Sequence, residues 1–168
     1  IEKYISINEP KWKIFIPTLP HLSNIIKNKI KHWKTETIIS DDIENFDKFY
    51  EDVFISITCS GTASLEIAKR NIPQIIVYKL NYLTELILRL FVKVRKASII
   101  NIVSEKIIIP EVINSKLTKK NLINSFKILL HNHQYREEQI ENINYYLPKI
   151  ENDKSPYDLS ILRILSLI

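Results

Sequence analysis

A chain of 168 residues, 45% of them hydrophobic and 26% charged, is long enough to bury a core and too apolar to stay disordered. Its net charge of +5 suits an anionic partner such as a nucleotide, a nucleic acid or a lipid headgroup, and equally an ordinary lysine-rich surface. The single cysteine, Cys59, excludes an internal disulfide and a zinc site built on several thiolates, and no apolar run is long enough to span a membrane.

The opening, IEKYISINEPKWKIFIPT, carries neither an initiator Met nor a secretory signal and reads as the middle of a longer protein. WKIFIPT (12–18) is a short apolar run closed by Pro17 and Pro20, and reads as a strand. HLSNIIKNKIKHW (21–33) sets Leu22, Ile25, Ile26, Ile30 and Trp33 at helical spacing, with lysines opposite. TETIIS (35–40) is a second strand, and DDIENFDKFYED (41–52) a short acidic helix with Asp41 or Asp42 as its N-cap. VFISITC (53–59) is a continuous β-branched and aromatic run, suited to a central strand buried on both faces of a parallel sheet. Cys59, at its end, is expected to be a small buried residue rather than a nucleophile.

ASLEIAKRN (63–71) is built of good helix formers with Leu65, Ile67 and Ala68 turned inward, and Asn71 and Pro73 stop it. QIIVYKL (74–80) is another strand. YLTELILRLFVKVRK (82–96) predicts an amphipathic helix with Leu83, Leu86, Ile87, Leu90 and Phe91 on one face and Arg89, Lys93, Arg95 and Lys96 near its end. ASIINIVSEKIII (97–109) reads as a short extended segment and a loop, and everything after Pro110 as helical. Those helices span 119–132, capped by Thr118, then about 134–147 and about 156–167. Alternating strands and helices followed by helices alone predict an α/β fold with a parallel sheet and a helical C-terminal tail, residues 1–115 forming one unit and 116–168 the other.

The one glycine, Gly61, stands between Ser60 and Thr62, where a strand gives way to a helix. In open α/β sheets ligands bind beyond the carboxyl ends of the strands. A turn there often needs positive φ, and the N–H groups opening the next helix favour a phosphate. Ser60 and Thr62 add hydroxyls, and Glu66, one helical turn in, can lean over the same mouth and accept two hydrogen bonds from a ribose diol. The same residues also fit a plain tight turn in which Thr62 caps the helix and Glu66 complements its dipole. S-G-T alone is a weak motif, lacking the Lys of a P-loop and the spaced glycines of a dinucleotide fingerprint. His131 and His133, two residues apart, do not set two ligands on one helical face, and His21 and His32 lie far from them, so metal ligation is not expected.

Residues 60–114 nevertheless resemble the C-terminal half of the lipid A disaccharide synthase family. The family's S-G-T-A-x-L-E turn is matched by Ser60, Gly61, Thr62, Ala63, Leu65 and Glu66, and its following Pro and V-x-Y strand by Pro73, Val77 and Tyr78. FVK (91–93), SIINIV (98–103) and PEVI (110–113) echo its L-V-K, S-L-P-N-L-L and P-E-L-L, and IPTLPHL (16–22) is similar too. Ile100 stands where the family usually has Pro, and Ser104-Glu105 where it has a small pair.

The resemblance implies a Rossmann-like UDP-sugar-binding domain of a GT-B glycosyltransferase, incomplete at its N-terminus. The family's enzymes transfer 2,3-diacylglucosamine from its UDP derivative to lipid X, releasing UDP. It implies that Ser60, Gly61 and Thr62 cradle the diphosphate, that Glu66 binds ribose, and that Asn101 sits near the nucleotide or donor sugar. Tyr78 faces the cleft or joins the core. No metal or other cofactor is expected. The catalytic carboxylate, the acceptor domain and a Gly-Ser-Arg loop after the domain's first strand are expected upstream of Ile1, so no catalytic residue falls in this chain and turnover by it alone is not expected. Arg89, Lys93, Arg95 and Lys96 become candidates for contact with anionic lipid at the cytoplasmic face of the inner membrane, against a plain packing role for their helix. Family members dimerise by exchanging C-terminal segments, which makes a homodimer a candidate here. Two other readings stand beside this one: another UDP-sugar enzyme of GT-B architecture, and a non-catalytic remnant that binds a nucleotide or a partner. Nucleic acid is not an expected partner, given acidic residues 41–52 and no basic–aromatic array.

Overall fold

The structure, a computed structural model, describes residues 1–42, 46–80 and 96–150. The chain opens with helix α1 (Glu2–Asn8), strand β1 (Ile14–Pro17), helix α2 (Pro20–Ile30) and strand β2 (Thr37–Ser40). Next come α3 (Phe46–Tyr50), β3 (Ser56–Thr58), α4 (Thr62–Lys69) and β4 (Gln74–Tyr78). Helix α5 (Ile99–Ser104), β5 (Glu111–Ile113), a 3-10 turn (Asn114–Lys116), α6 (Lys119–His131), α7 (His133–Tyr146) and a closing 3-10 turn (Leu147–Lys149) follow. All pairings are parallel, and the fold is α/β and Rossmann-like: β1 pairs with β2, and β3, β4 and β5 form a second sheet in that order.

β4 is the centre of the second sheet, and its alternating side chains organise the core. Ile76 points to one face, where it joins Ala68, Ile100, Ile108, Ile109 and Ile143 from α4, α5, the loop that follows and α7. Ile75 points to the other, against Ile5, Val112, Phe126 and Leu129 from α1, β5 and α6. Truncating Ile75 or Ile76, both with no exposed surface, to Ala costs about 2–5 kcal/mol. Gln139 of α7 extends the β4–β5 ladder with its side-chain amide, its Oε1 accepting from the Gln74 N–H at 2.7 Å and its Nε2 donating to Gln74 O at 3.3 Å and Ile108 O at 3.4 Å. The caps are local and legible: Thr118 Oγ1 accepts from the Asn121 N–H, and Asn132 Oδ1 from the Tyr135 N–H.

Five expectations are corrected. Residues 99–104 are helical rather than extended, because a side chain from beyond the helix holds the N–H groups of the two residues that lead into it, as described below. The segment after Pro110 begins with strand β5 and is not helical throughout: Val112 is buried against β4, and three residues are too few to show a period. β3 is not a central strand among the described residues; its far edge has no strand beside it and Ile57 is 37% exposed. Cys59 is exposed, because it lies past the last paired residue of β3. The apolar stripe expected over 21–33 is not buried: Leu22 and Ile25 of α2 and Trp33 beyond its end are exposed, and Ser23 is the buried residue of α2. The acidic helix is described only from Phe46 on. The amphipathic helix expected at 82–96 lies outside the described residues except for Lys96, and that at 156–167 lies wholly outside them.

Candidate functional site

β3 ends at Thr58, and the chain passes through Cys59, Ser60 and Gly61 into α4 at the carboxyl edge of the sheet. Gly61 has φ 127° and ψ −154°, a region closed to residues with a side chain. A Cβ placed there would meet nothing within 4 Å, so it is backbone conformation and not space that demands glycine. The turn is locked from within: the Gly61 carbonyl accepts from the Ser64 N–H at 3.1 Å, the Leu65 N–H at 3.4 Å and the Ser64 Oγ at 2.8 Å. That leaves the Thr62 and Ala63 N–H groups of the first turn with no acceptor among the described residues. Thr62 is exposed, and its hydroxyl is likewise available.

Ser60 points the other way, its hydroxyl donating to the Ala97 carbonyl. This ties the turn to the start of α5, where a downstream carboxylate does the organising. Glu111 Oε2 accepts from the Ala97 N–H at 2.9 Å, and Oε1 from the Ser98 N–H and Asn101 Nδ2, each at 2.8 Å. Asn101 is fully buried, and both ends of its amide are engaged. Nδ2 also donates to Ile109 O at 2.7 Å, and Oδ1 accepts from the Ile108 and Ile109 N–H groups, each at 2.9 Å. Asn101 therefore reaches Ser60 through a chain of contacts by way of Glu111 and Ala97. Glu111 was missed as a site residue; its position in P-E-V-I, just after the Ile-rich loop, was the available signal.

Glu66 lies one turn into α4, exposed, its carboxylate accepting no hydrogen bond among the described residues. Next to it, Arg70 pairs with Asp47 and stacks over the Tyr50 ring, its Cζ 4.7 Å from the centroid. Burial raises the Tyr50 hydroxyl above its ordinary pKa, opposed by Arg70 and reinforced by the Glu66 and Asp47 carboxylates. Tyr78 ends β4 and is 41% exposed at the same carboxyl edge. Lys96, half-buried, precedes the carbonyl that Ser60 holds, whereas Arg89, Lys93 and Arg95 lie outside the described residues.

Ser60, Gly61, Thr62 and Glu66 are thus grouped on one strand–turn–helix unit, with Asn101 behind it. Among the described residues no cluster of His, Cys, Asp and Glu is arranged to hold a metal, and no helix is long and apolar enough to cross a membrane. His131 meets the Tyr4 hydroxyl at 3.2 Å and His133 pairs with Glu137 at 3.0 Å. What the unit offers chemically is two backbone donors and a hydroxyl at a helix N-terminus, with a carboxylate one turn away, a set suited to a phosphate and a neighbouring diol.

Comparison with known proteins agrees with the motifs. Residues 7–164 match the family model described as Lipid-A-disaccharide synthetase. The chain is similar to proteins named lipid-A-disaccharide synthase from Rickettsia prowazekii (30% identical, covering 85% of this chain and 42% of that protein). It is similar also to those of Gluconobacter oxydans (27%, 91% and 37%) and Rhodospirillum centenum (25%, 80% and 33%). The chain therefore spans between a third and about two fifths of the length of these relatives.

Proposed function

The chain belongs to the lipid-A-disaccharide synthetase family, and from that premise we propose that it is the UDP-sugar-binding part of a glycosyltransferase of lipid A biosynthesis. In this reading residues 1–115 hold the donor nucleotide. The donor is UDP-2,3-diacylglucosamine, the acceptor is lipid X, and UDP is released. The observation that carries the reading is the pair of N–H groups at Thr62 and Ala63, which find no acceptor among the described residues and open α4 at the carboxyl edge of a parallel sheet.

The residues act by position and charge. The Thr62 and Ala63 N–H groups and the Thr62 hydroxyl bind the diphosphate, and they oppose the charge that grows on it as the sugar leaves. Gly61 sets the angle of those donors, and Ser60 holds the turn against the 97–98 segment. Glu66 accepts hydrogen bonds from the ribose diol. Asn101 belongs to the site through the wall it builds, since its own amide is committed to Ile108, Ile109 and Glu111. The proton transfer that activates the acceptor falls to a group outside these residues, so the 168-residue chain alone is expected to give no disaccharide.

The test is calorimetric titration of the chain and its Glu66→Ala variant with UDP. Loss of a charged hydrogen-bond acceptor for the ribose weakens binding by about 10- to 100-fold. Equal affinities for UDP would overturn the assignment of Glu66, and absence of binding by the wild-type chain would overturn the site.

Both proposed substrates are acylated, which favours a peripheral position at the cytoplasmic face of the inner membrane. We assign Arg89, Lys93, Arg95 and Lys96 to that contact. Replacing all four with Gln in the intact enzyme is expected to lower binding to anionic liposomes, each cation contributing about 1 kcal/mol. Unchanged liposome binding would remove the assignment. Exchange of the C-terminal helices between two copies remains our proposal for a homodimer, to be read from sedimentation.

A further inference from the structure

We propose that Ser64 is a positioning residue for the diphosphate: its hydroxyl, bonded to the Gly61 carbonyl, fixes the direction in which the Thr62 N–H points. The inference rests on the reading of this turn as the diphosphate site and adds to it a residue too buried to touch the ligand. Ser64 stands at the x of S-G-T-A-x-L-E, the position that the motif leaves open.

Glycine is needed at 61 because φ is 127°, yet glycine is the residue that holds a backbone angle least firmly by itself. A side chain would confine φ and ψ; at Gly61 the restraint has to come from a neighbour. The Gly61 carbonyl and the Thr62 N–H belong to one planar trans peptide unit, so they point in opposite directions. Whatever anchors the oxygen therefore aims the hydrogen. Three donors anchor that oxygen. The Ser64 N–H at 3.1 Å and the Leu65 N–H at 3.4 Å both lie beyond the commonest N–H···O length of about 2.9–3.0 Å. The Ser64 Oγ, at 2.8 Å, is the closest of the three. With the oxygen drawn into the first turn of α4, the Thr62 N–H points the opposite way, and it finds no acceptor among the described residues.

The placement of Ser64 costs the fold something. It is 2% exposed and shares the buried face of α4 with Ile67 and Ala68, where an apolar side chain would pack. A hydroxyl there is unfavourable unless it is hydrogen-bonded, and its partner among the described residues is the Gly61 carbonyl, three residues back. The backbone of Ser64 is held in turn. Gln74 Nε2 donates to the Ser64 carbonyl at 3.0 Å, and the Gln139 side chain grips both backbone groups of Gln74. Gln74 and Gln139 are themselves buried, so Ser64 is seated on a fixed pair of amides while it restrains the turn.

The experiment titrates the 168-residue chain with UDP and with uridine, followed by NMR. Both ligands carry the base and the ribose, and UDP alone carries the diphosphate. Wild type should bind UDP the more tightly. Ser64→Ala removes one hydrogen bond that aims the Thr62 N–H, so affinity for UDP should fall about 3- to 10-fold while that for uridine stays within about twofold. Ser64→Cys, a weaker donor of similar size, should lie between, and gives the same ratio should the alanine variant not fold. The Gly61 carbonyl 13C resonance should move in both variants without any ligand, reporting the altered bond directly. A loss shared equally by UDP and uridine would mean a general loosening of the turn and would overturn the proposal, as would a Gly61 resonance that does not move. A wild-type preference for UDP that survives both substitutions would remove Ser64 alone and leave the diphosphate site standing. No preference for UDP in wild type would overturn that site, and this inference with it.

Discussion

Replacing Gly61 by each mirror form of alanine separates conformation from space. At φ 127° and ψ −154° an L-residue is held where its Cβ clashes with its own backbone, at a cost of about 1–3 kcal/mol. Stiffening the unfolded chain returns about 0.4–1 kcal/mol, leaving Gly61→Ala destabilised by about 1–2 kcal/mol. For a chain of this size that lowers the thermal midpoint by roughly 2–8 °C. D-alanine, introduced by semisynthesis, sees the mirror image of these angles as ordinary extended backbone, and nothing lies within 4 Å to obstruct its methyl. It should leave the protein at least as stable as wild type. Thermal melts followed by circular dichroism compare the three proteins. Equal midpoints for the L and D forms would refute the claim that backbone angle alone requires this glycine.

Asn101→Ala strands the buried N–H groups of Ile108 and Ile109 and the Ile109 carbonyl; at about 1–3 kcal/mol for each group left bare, urea denaturation should show a loss of at least about 3 kcal/mol. Gln139→Leu leaves the Gln74 N–H and Ile108 carbonyl without the amide that joins them, and should cost about 2–4 kcal/mol by the same measurement. The backbone N–H of Lys34, seconded by that of Thr35, holds the Glu2 carboxyl below its usual range. A lowered folded pKa stabilises above the unfolded value and is lost as pH falls through the folded one. Glu2→Gln should therefore melt below wild type at neutral pH, the two converging once pH falls below the ordinary carboxylate range.

The chain showed its strands and helices where local pattern decides them. VFISITC and QIIVYKL became β3 and β4, Thr118 capped α6, and the lone glycine stood at the turn that needs positive φ. What stayed hidden was non-local. SIINIV has the β-branched residues of a strand, yet it is a helix because Glu111, ten residues beyond Asn101, gathers the N–H groups of Ala97 and Ser98. Its end is fixed by Glu105 at φ 57°, a conformation no propensity favours for glutamate. The apolar character of β3 was legible, but what lies beside an edge is not written in the strand that owns it. Asn101 was legible as a special residue; that its amide would be spent inside the wall depends on carbonyls and N–H groups seven and eight residues away.

The central claim, that the start of α4 receives a diphosphate, is most directly tested by titrating isotopically labelled protein with UDP and following each backbone amide by NMR. The account predicts saturable shifts centred on Gly61, Thr62 and Ala63, with Glu66 responding in step. Saturation that leaves those amides unmoved, or that centres on another part of the chain, would contradict it.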